Sequence, residues 1–224
     1  MSMVEVSLPD GTIHEIASGV SAGDVIKDAF GRGAVAAVIN GQQCDLSTPI
    51  EESCHLDQIH SESDDGLYVL RHSCAHLLAQ AVTELHPNAK PTIGPPIEHG
   101  FYYDFEMDPL SEEDLREIEK KMKYFVKQNL QISREEHDGT TLREMFANNK
   151  FKIEIMDDKL EDGAGSSVYR QGDFVDLCRG PHVPSTSYLR HFKLTSTSTA
   201  YWRADSNREH LVRIYGMCYA TKQD

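Results

Sequence analysis

No stretch of this sequence approaches the ~18 consecutive apolar residues of a membrane-spanning helix, so a membrane protein is not expected. Cysteine is sparse. Five residues (Cys44, Cys54, Cys74, Cys178 and Cys218) make an odd count without framework spacing, which predicts free thiols in a reducing compartment. The opening "MSMVEVSLPDG" lacks the basic flank and apolar stretch of a secretory signal, and a cytoplasmic location is expected. Internal repeats and low-complexity tracts are missing, apart from a brief "TSTSTA" at 195–200. Positive charge is also short: the formal net charge of −14 at first disfavours a nucleic-acid partner.

What is present suits one large or two modest globular domains: 224 residues, 39% hydrophobic and 26% charged. The charge is unevenly spread. From Arg170 onward eight Lys/Arg face five Asp/Glu, whereas residues 1–169 hold fourteen against thirty-one. A polyanion is therefore expected to meet the C-terminal third, unless these cations are only a solvated face.

The first sixty residues read as a small unit. "VEVSL" and "TIHEI" flank "PDG", a hairpin signal, and Ser21 with Asp24 marks a helix start ahead of "DVIKDAF". "AVAAVIN" runs into Asn40-Gly41, a second hairpin turn, and "CHLDQIH" supplies a last strand. Strand, strand, helix, strand, strand predicts a β-grasp (ubiquitin-like) module over 1–62. Its histidines are scattered, and nothing in it forms a catalytic constellation, so it reads as accessory.

The polar "SESDDG" marks a boundary, and residues 63–224 form the second block. A helix is expected over 69–86, closed by Pro87, and "GFYYDFEM" alternates like a strand. A long helix follows from an N-cap at Ser111, with Leu115, Ile118, Met122 and Phe125 on one face. A short helix near 141–148 and strands near 151–156, 167–177, 190–196 and 211–219 complete the reading. The elements do not alternate as βαβ units, so the class is α+β, an antiparallel sheet packed on helices.

"RHSCAH" places His72 and His76 four apart, on one face of a helix. Leu70, Cys74, Leu77, Leu78, Ala81 and Leu85 form the core stripe opposite. Ser73 follows His72 where a metalloprotease H-E-x-x-H has glutamate, which argues against a zincin. About a hundred residues later, "CRGPHVP" sets Cys178 and His182 four apart around a Gly-Pro turn. If the pairs converge, they can hold a tetrahedral zinc or line a cleft; spacing alone leaves both open. Lys152 in "FKIEIM" lies opposite Phe151, Ile153 and Ile155 on the expected strand. Asp176 in "FVDLCRG" shares strand parity with Cys178. An acid, a lysine and histidines around one pocket suit water activation and transition-state stabilisation.

Four stretches, "RHSCAHLLAQAV", "IGPPIEHGFYYDF", "FVDLCRGPHVP" and "AYWRADSNREHLVRIYG", strongly resemble the N-terminal region of bacterial threonyl-tRNA synthetases. The resemblance covers essentially the whole chain: a TGS-type β-grasp domain, then an editing domain. It implies hydrolysis of the ester joining misattached serine to threonine tRNA, in a fragment without an aminoacylation domain. By that resemblance His72 and Lys152 are catalytic, positioning and activating water, and Asp176 holds the substrate α-ammonium. His76, Cys178 and His182 line the pocket, with Tyr102 and Tyr103 as candidates for its wall. The threonyl enzymes are understood as metal-free, so no metal or cofactor is expected; the related alanyl enzymes bind zinc with the equivalent quartet. The implied partners are seryl-tRNA(Thr) and the rest of a synthetase chain. A non-catalytic tRNA-binding module and a free-standing editing protein remain the alternatives. "CDLSTP" and "ESDDG" depart from the family's pattern, but they lie outside these motifs and put little in question.

Overall fold

The structure is a computed structural model that describes residues 2–160 and 164–221. The first unit comprises β1 (Met3–Ser7), β2 (Ile13–Ala17), β3 (Val20–Ser21), α1 (Ala22–Phe30), β4 (Ala34–Ile39), β5 (Gln42–Cys44), β6 (Pro49–Ile50) and β7 (Cys54–His60). Its main sheet runs β2-β1-β7-β4-β5, with β1 and β7 parallel at the centre and the other pairs antiparallel. This is the β-grasp arrangement. The Ser21 hydroxyl caps α1 by accepting from Asp24 N–H, which turns the chain from β3 across the sheet. Val25 and Ile26 of α1 then join Val4, Val6, Ala37 and Leu56 in one buried cluster.

The second unit opens with α2 (Asp64–Leu85), which begins inside the stretch read as a linker because Ser63 caps it through Gly66 N–H. Then come β8 (Lys90–Pro91), β9 (Pro96–Ile97), β10 (Gly100–Glu106), α3 (Glu112–Gln128), β11 (Ile132–His137), α4 (Gly139–Met145), α5 (Lys150–Lys159), β12 (Ser166–Gln171), β13 (Phe174–Leu177), β14 (His191–Tyr201) and β15 (His210–Tyr219). Two antiparallel sheets result. One runs β14-β15-β10-β8, with β9 also on β10; the other runs β11-β12-β13. The α+β class therefore holds. Ser111 and Asp114 form a capping box at the start of α3, and Ile118, Met122 and Phe125 face inward as the periodicity predicts.

Two expectations are corrected. Residues 151–156 are not a strand but part of α5, where the Asn149 side chain accepts from the N–H groups of Phe151 and Lys152. The alternation Phe151/Ile153/Ile155 also contains an i, i+4 pair, and Phe151 and Ile155 both pack in the cluster with Trp202 and Leu211. In addition, α2 has no clean division into a core stripe and a histidine face. It packs against α3, β10 and β15, and also against β4 and β7 of the first unit. Its residues from Ser73 to Val82 are buried all round, His76 included, whereas Leu85 at the end is exposed.

Candidate active site

The two four-residue pairs meet. His72 and His76 project from adjacent turns of α2, ring centroids 5.3 Å apart, and the His182 ring lies 4.2 Å from each. Cys178 Sγ sits 3.3 Å from His72 Nε2 and 3.2 Å from His182 Nε2. The turn that brings Cys178 and His182 together uses Gly180 at φ +75°, a left-handed conformation that glycine adopts without strain. A side chain there would also strike the Tyr169 hydroxyl, 1.8 Å from an added Cβ.

Beside this cluster lies a buried charged triad. Lys152 Nζ is 2.5 Å from Asp176 Oδ1 and donates to the Tyr103 hydroxyl at 3.1 Å. Tyr103 in turn donates to Asp176 Oδ2 at 2.5 Å, and His76 Nε2 approaches the same oxygen at 3.7 Å. Lys152 and Asp176 are only 3% and 2% exposed, so Lys152 is an interior group rather than a solvated one. An ammonium has three donors, and with two engaged one is left for a bound molecule.

Burial governs the protonation of the cluster. It lowers His72 to about 3, with repulsion from His76 adding to the effect, and lowers His76 to about 4. His182 is lowered too, by burial and by its two neighbouring imidazoles. All three rings are therefore neutral at neutral pH. Burial pushes the Cys178 thiol up to about 12, although Gly180 N–H donates to its sulfur. Burial alone would raise Asp176, but the Lys152 ammonium, then His76, bring its carboxyl below the ordinary value.

A cavity of about 320 Å³ opens over these groups, lined by His72, His76, Tyr103, Lys152, Asp176 and Cys178 and rimmed by the 92–96 loop. A larger one of about 1010 Å³ lies on the other side of Lys152 and Asp176, between α3, α4 and the β12–β13 turn. His182 stands behind the smaller cavity, fully buried. Tyr102 is the exception among the expected site residues. Strand alternation along β10 points it away from Tyr103, and its ring stacks under the Arg213 guanidinium at 3.9 Å.

Sequence reasoning missed four residues around the site. Ser73, between the two α2 histidines, places its hydroxyl 2.9 Å from His182 Nδ1 and accepts from Val183 N–H. Gly94 packs so closely on the Tyr103 ring that a Cβ would come within 2.1 Å. Tyr169 stands edge-on to the His182 ring at 4.4 Å. The fourth, Asp45, belongs to the first unit, within the "CDLSTP" that lies outside the family motifs; it accepts from His182 N–H. The quoted motifs carried a signal for Ser73 and Gly94 alone.

The basic C-terminal third is largely neutralised. Arg170 pairs with Glu135, Lys193 with Glu119, Arg203 and Arg208 with Glu154, and Arg213 with Asp104 in a two-pronged contact. Arg179 and Arg190, both exposed, stand outside these ion pairs and are the described cations there most available to phosphate.

The donor set also fits a metal. One ligand atom from each of His72, His76, Cys178 and His182 lies within 4.8 Å of every other, and two or three His with Cys is a donor set that zinc takes. Zinc held there would supply a Lewis acid and a polarised water. Without a cation the Cys178 sulfur meets two imidazoles and the Gly180 N–H, while His72 Nδ1 is buried with no hydrogen-bond partner. Purified protein is expected to hold less than stoichiometric zinc by elemental analysis, and chelation is expected to leave its thermal unfolding unchanged. Stoichiometric zinc, lost on chelation with a fall in Tm, would contradict this.

Comparison with known proteins agrees with this architecture. Residues 4–57 match the TGS domain family, and residues 166–215 match the threonyl and alanyl tRNA synthetase second additional domain. The first match falls on the β-grasp unit, and the second includes Cys178 and His182 of the cleft. Over 99% of its length the chain is 46% identical to a threonine–tRNA ligase of Rubrobacter xylanophilus and 44% identical to one of Thermotoga maritima. It is 44% identical over its full length to one of Halobacterium salinarum. The chain matches the N-terminal region of threonyl-tRNA synthetases, and it spans about 35% of the length of these relatives.

Proposed function

We propose that the smaller cavity hydrolyses the ester joining serine to the 3′-terminal adenosine of threonine tRNA. The observation that carries this reading is the neutral imidazole pair of His72 and His76 set against a buried Lys152–Asp176–Tyr103 triad around one small cavity. In the proposed reaction water adds to the seryl carbonyl carbon, the ester bond to the ribose 3′-oxygen breaks, and the water proton ends on that oxygen. His72 accepts a hydrogen bond from the attacking water. With a conjugate acid as strong as its low pKa implies, it is a weak base that orients the water and passes its proton on rather than storing it. The free N–H of Lys152 faces the developing oxyanion, where a fixed donor in a dry site acts most strongly.

Asp176 first serves to hold Lys152 and Tyr103. Each carboxylate oxygen can accept more than once, so the substrate α-ammonium can share it. Cys178, protonated and packed between imidazoles, is a poor nucleophile, which favours direct attack by water over an acyl-thiol route.

The chemistry also accounts for the need. Serine and threonine differ by one methyl, worth ~1–3 kcal/mol in a binding pocket, so a second site must exclude the larger amino acid. Tyr103, pinned by Asp176 and Lys152 and backed by Gly94, is a wall that cannot retreat to admit a methyl. We read residues 1–62 and 63–224 as the two domains, with the remainder of a synthetase chain as partner in the cytoplasm. Among the described residues no helix is long and apolar enough to cross a membrane. The test is release of serine from seryl-tRNA(Thr) by this chain. Binding without release would assign it to tRNA docking alone.

A further inference from the structure

The β-grasp unit reaches the cleft through one side chain. Asp45 follows β5 in a turn closed by Thr48 N–H, which donates to its carbonyl at 3.0 Å. Its carboxylate is buried and forms no ion pair among the described residues. Both of its hydrogen-bond donors come from the other unit. His182 N–H donates to Oδ1 at 2.8 Å, and the Tyr169 hydroxyl donates to Oδ2 at 2.7 Å. A buried carboxylate without a cation is costly, and two well-aligned donors are what make it tolerable.

Those two donors sit at the back of the imidazole cluster. Tyr169 stands edge-on to the His182 ring, and its hydroxyl lies beneath Gly180, in the turn between Cys178 and His182. His182 is held on its far side by Ser73 at Nδ1, and its Nε2 meets Cys178. Backbone and ring of His182 are thus held separately, by Asp45 of one unit and Ser73 of the other.

We propose that Asp45 is a positioning residue for the cleft: from the β-grasp unit it fixes His182 and Tyr169, and with them the alignment of Cys178 and His72. This inference rests on the reading of the cleft as a deacylase. A displacement of about 1 Å at a reacting centre costs up to ~10²-fold in rate, so the brace acts on the chemical step rather than on tRNA binding.

The test uses the full chain and four variants: Asp45→Ala, Asp45→Asn, Tyr169→Phe, and Asp45→Ala combined with Tyr169→Phe. Single-turnover release of serine at saturating protein is measured beside tRNA affinity and cooperative thermal unfolding. Asp45→Ala should slow release about 10- to 10²-fold while affinity stays at the wild-type value. Asp45→Asn, which keeps one acceptor oxygen, should recover part of that loss, and Tyr169→Phe should add little once Asp45 is gone. The ¹⁵N resonances of the His182 imidazole should move in Asp45→Ala, while those of exposed His99 should not. If wild-type protein releases no serine, the deacylase reading fails, and the His182 resonances alone decide the brace. If Asp45→Ala does not fold, Asp45→Asn and Tyr169→Phe carry the test. Wild-type release rates in both, or lowered stability with an unchanged rate, would overturn the proposal and leave Asp45 as an inter-unit contact only.

Discussion

Lys152→Met is expected to abolish measurable serine release and to lower stability by about 3–5 kcal/mol, because it leaves a buried carboxylate without its cation. For a chain of this size that is a fall of roughly 2–4 °C in Tm for each kcal/mol. Stability and activity should fall together, because the buried ion pair and the proposed chemistry both use Lys152. It neutralises Asp176 at 2.5 Å in the interior, and it lines the cavity beside His72 and His76.

Asp176→Asn should be destabilising for the converse reason. The double variant Lys152→Met/Asp176→Asn should be clearly more stable than the sum of the two losses, since removing both charges leaves neither uncompensated. The sign of the pH dependence follows from Asp176. Its folded value lies below the ordinary ~3.9, so its contribution is complete at neutral pH and is lost only as the pH falls through the folded value. Calorimetry of the three variants and the wild type checks this. Additive losses would mean that Lys152 and Asp176 do not act as a pair.

His72→Ala should reduce turnover of bound seryl-tRNA by roughly 10²-fold or more, the usual scale for a positioned acid–base group. The fold should survive, because the truncated ring borders the cavity and leaves room open to solvent rather than a sealed void. Affinity for tRNA should hardly change, since it is expected to come from phosphate contacts elsewhere on the surface. Threonyl-tRNA should stay a poor substrate, because its exclusion is assigned to the Tyr103 wall. His76→Ala should affect rate and pocket shape together, as His76 packs against His182 and faces Asp176. Weak binding with a normal rate at saturation would instead make His72 a docking residue.

The α+β class and the β-grasp unit were legible in the sequence because local signals carried them: Ser21 and Ser111 as caps, and the turns at Pro9-Asp10-Gly11 and Asn40-Gly41. The pairing of His72/His76 with Cys178/His182 was visible only as two like spacings; their convergence needed the tertiary structure. Lys152 was the instructive miss. A six-residue alternation fits a strand or two turns of a helix, and Asn149 at the N-cap, not the alternation, decides it. Burial was harder still. Neither the immersion of α2 on all sides nor the pairing of Lys152 with Asp176 leaves a local trace, and Asp45 lies 137 residues from the histidine backbone it holds. Tyr102 and Tyr103, adjacent in sequence, were grouped as one wall, although neighbours on a strand must face opposite ways.

The proposed function is hydrolysis of a small amino-acid ester selected by size. Its most direct test is single-turnover deacylation, at saturating protein, of the same threonine tRNA charged with serine or with threonine. The expected result is rapid release of serine and release of threonine slower by far more than the ~10- to 200-fold that one methyl gives in a single binding pocket. Equal rates for the two esters, or no release of serine above the spontaneous rate, would contradict it.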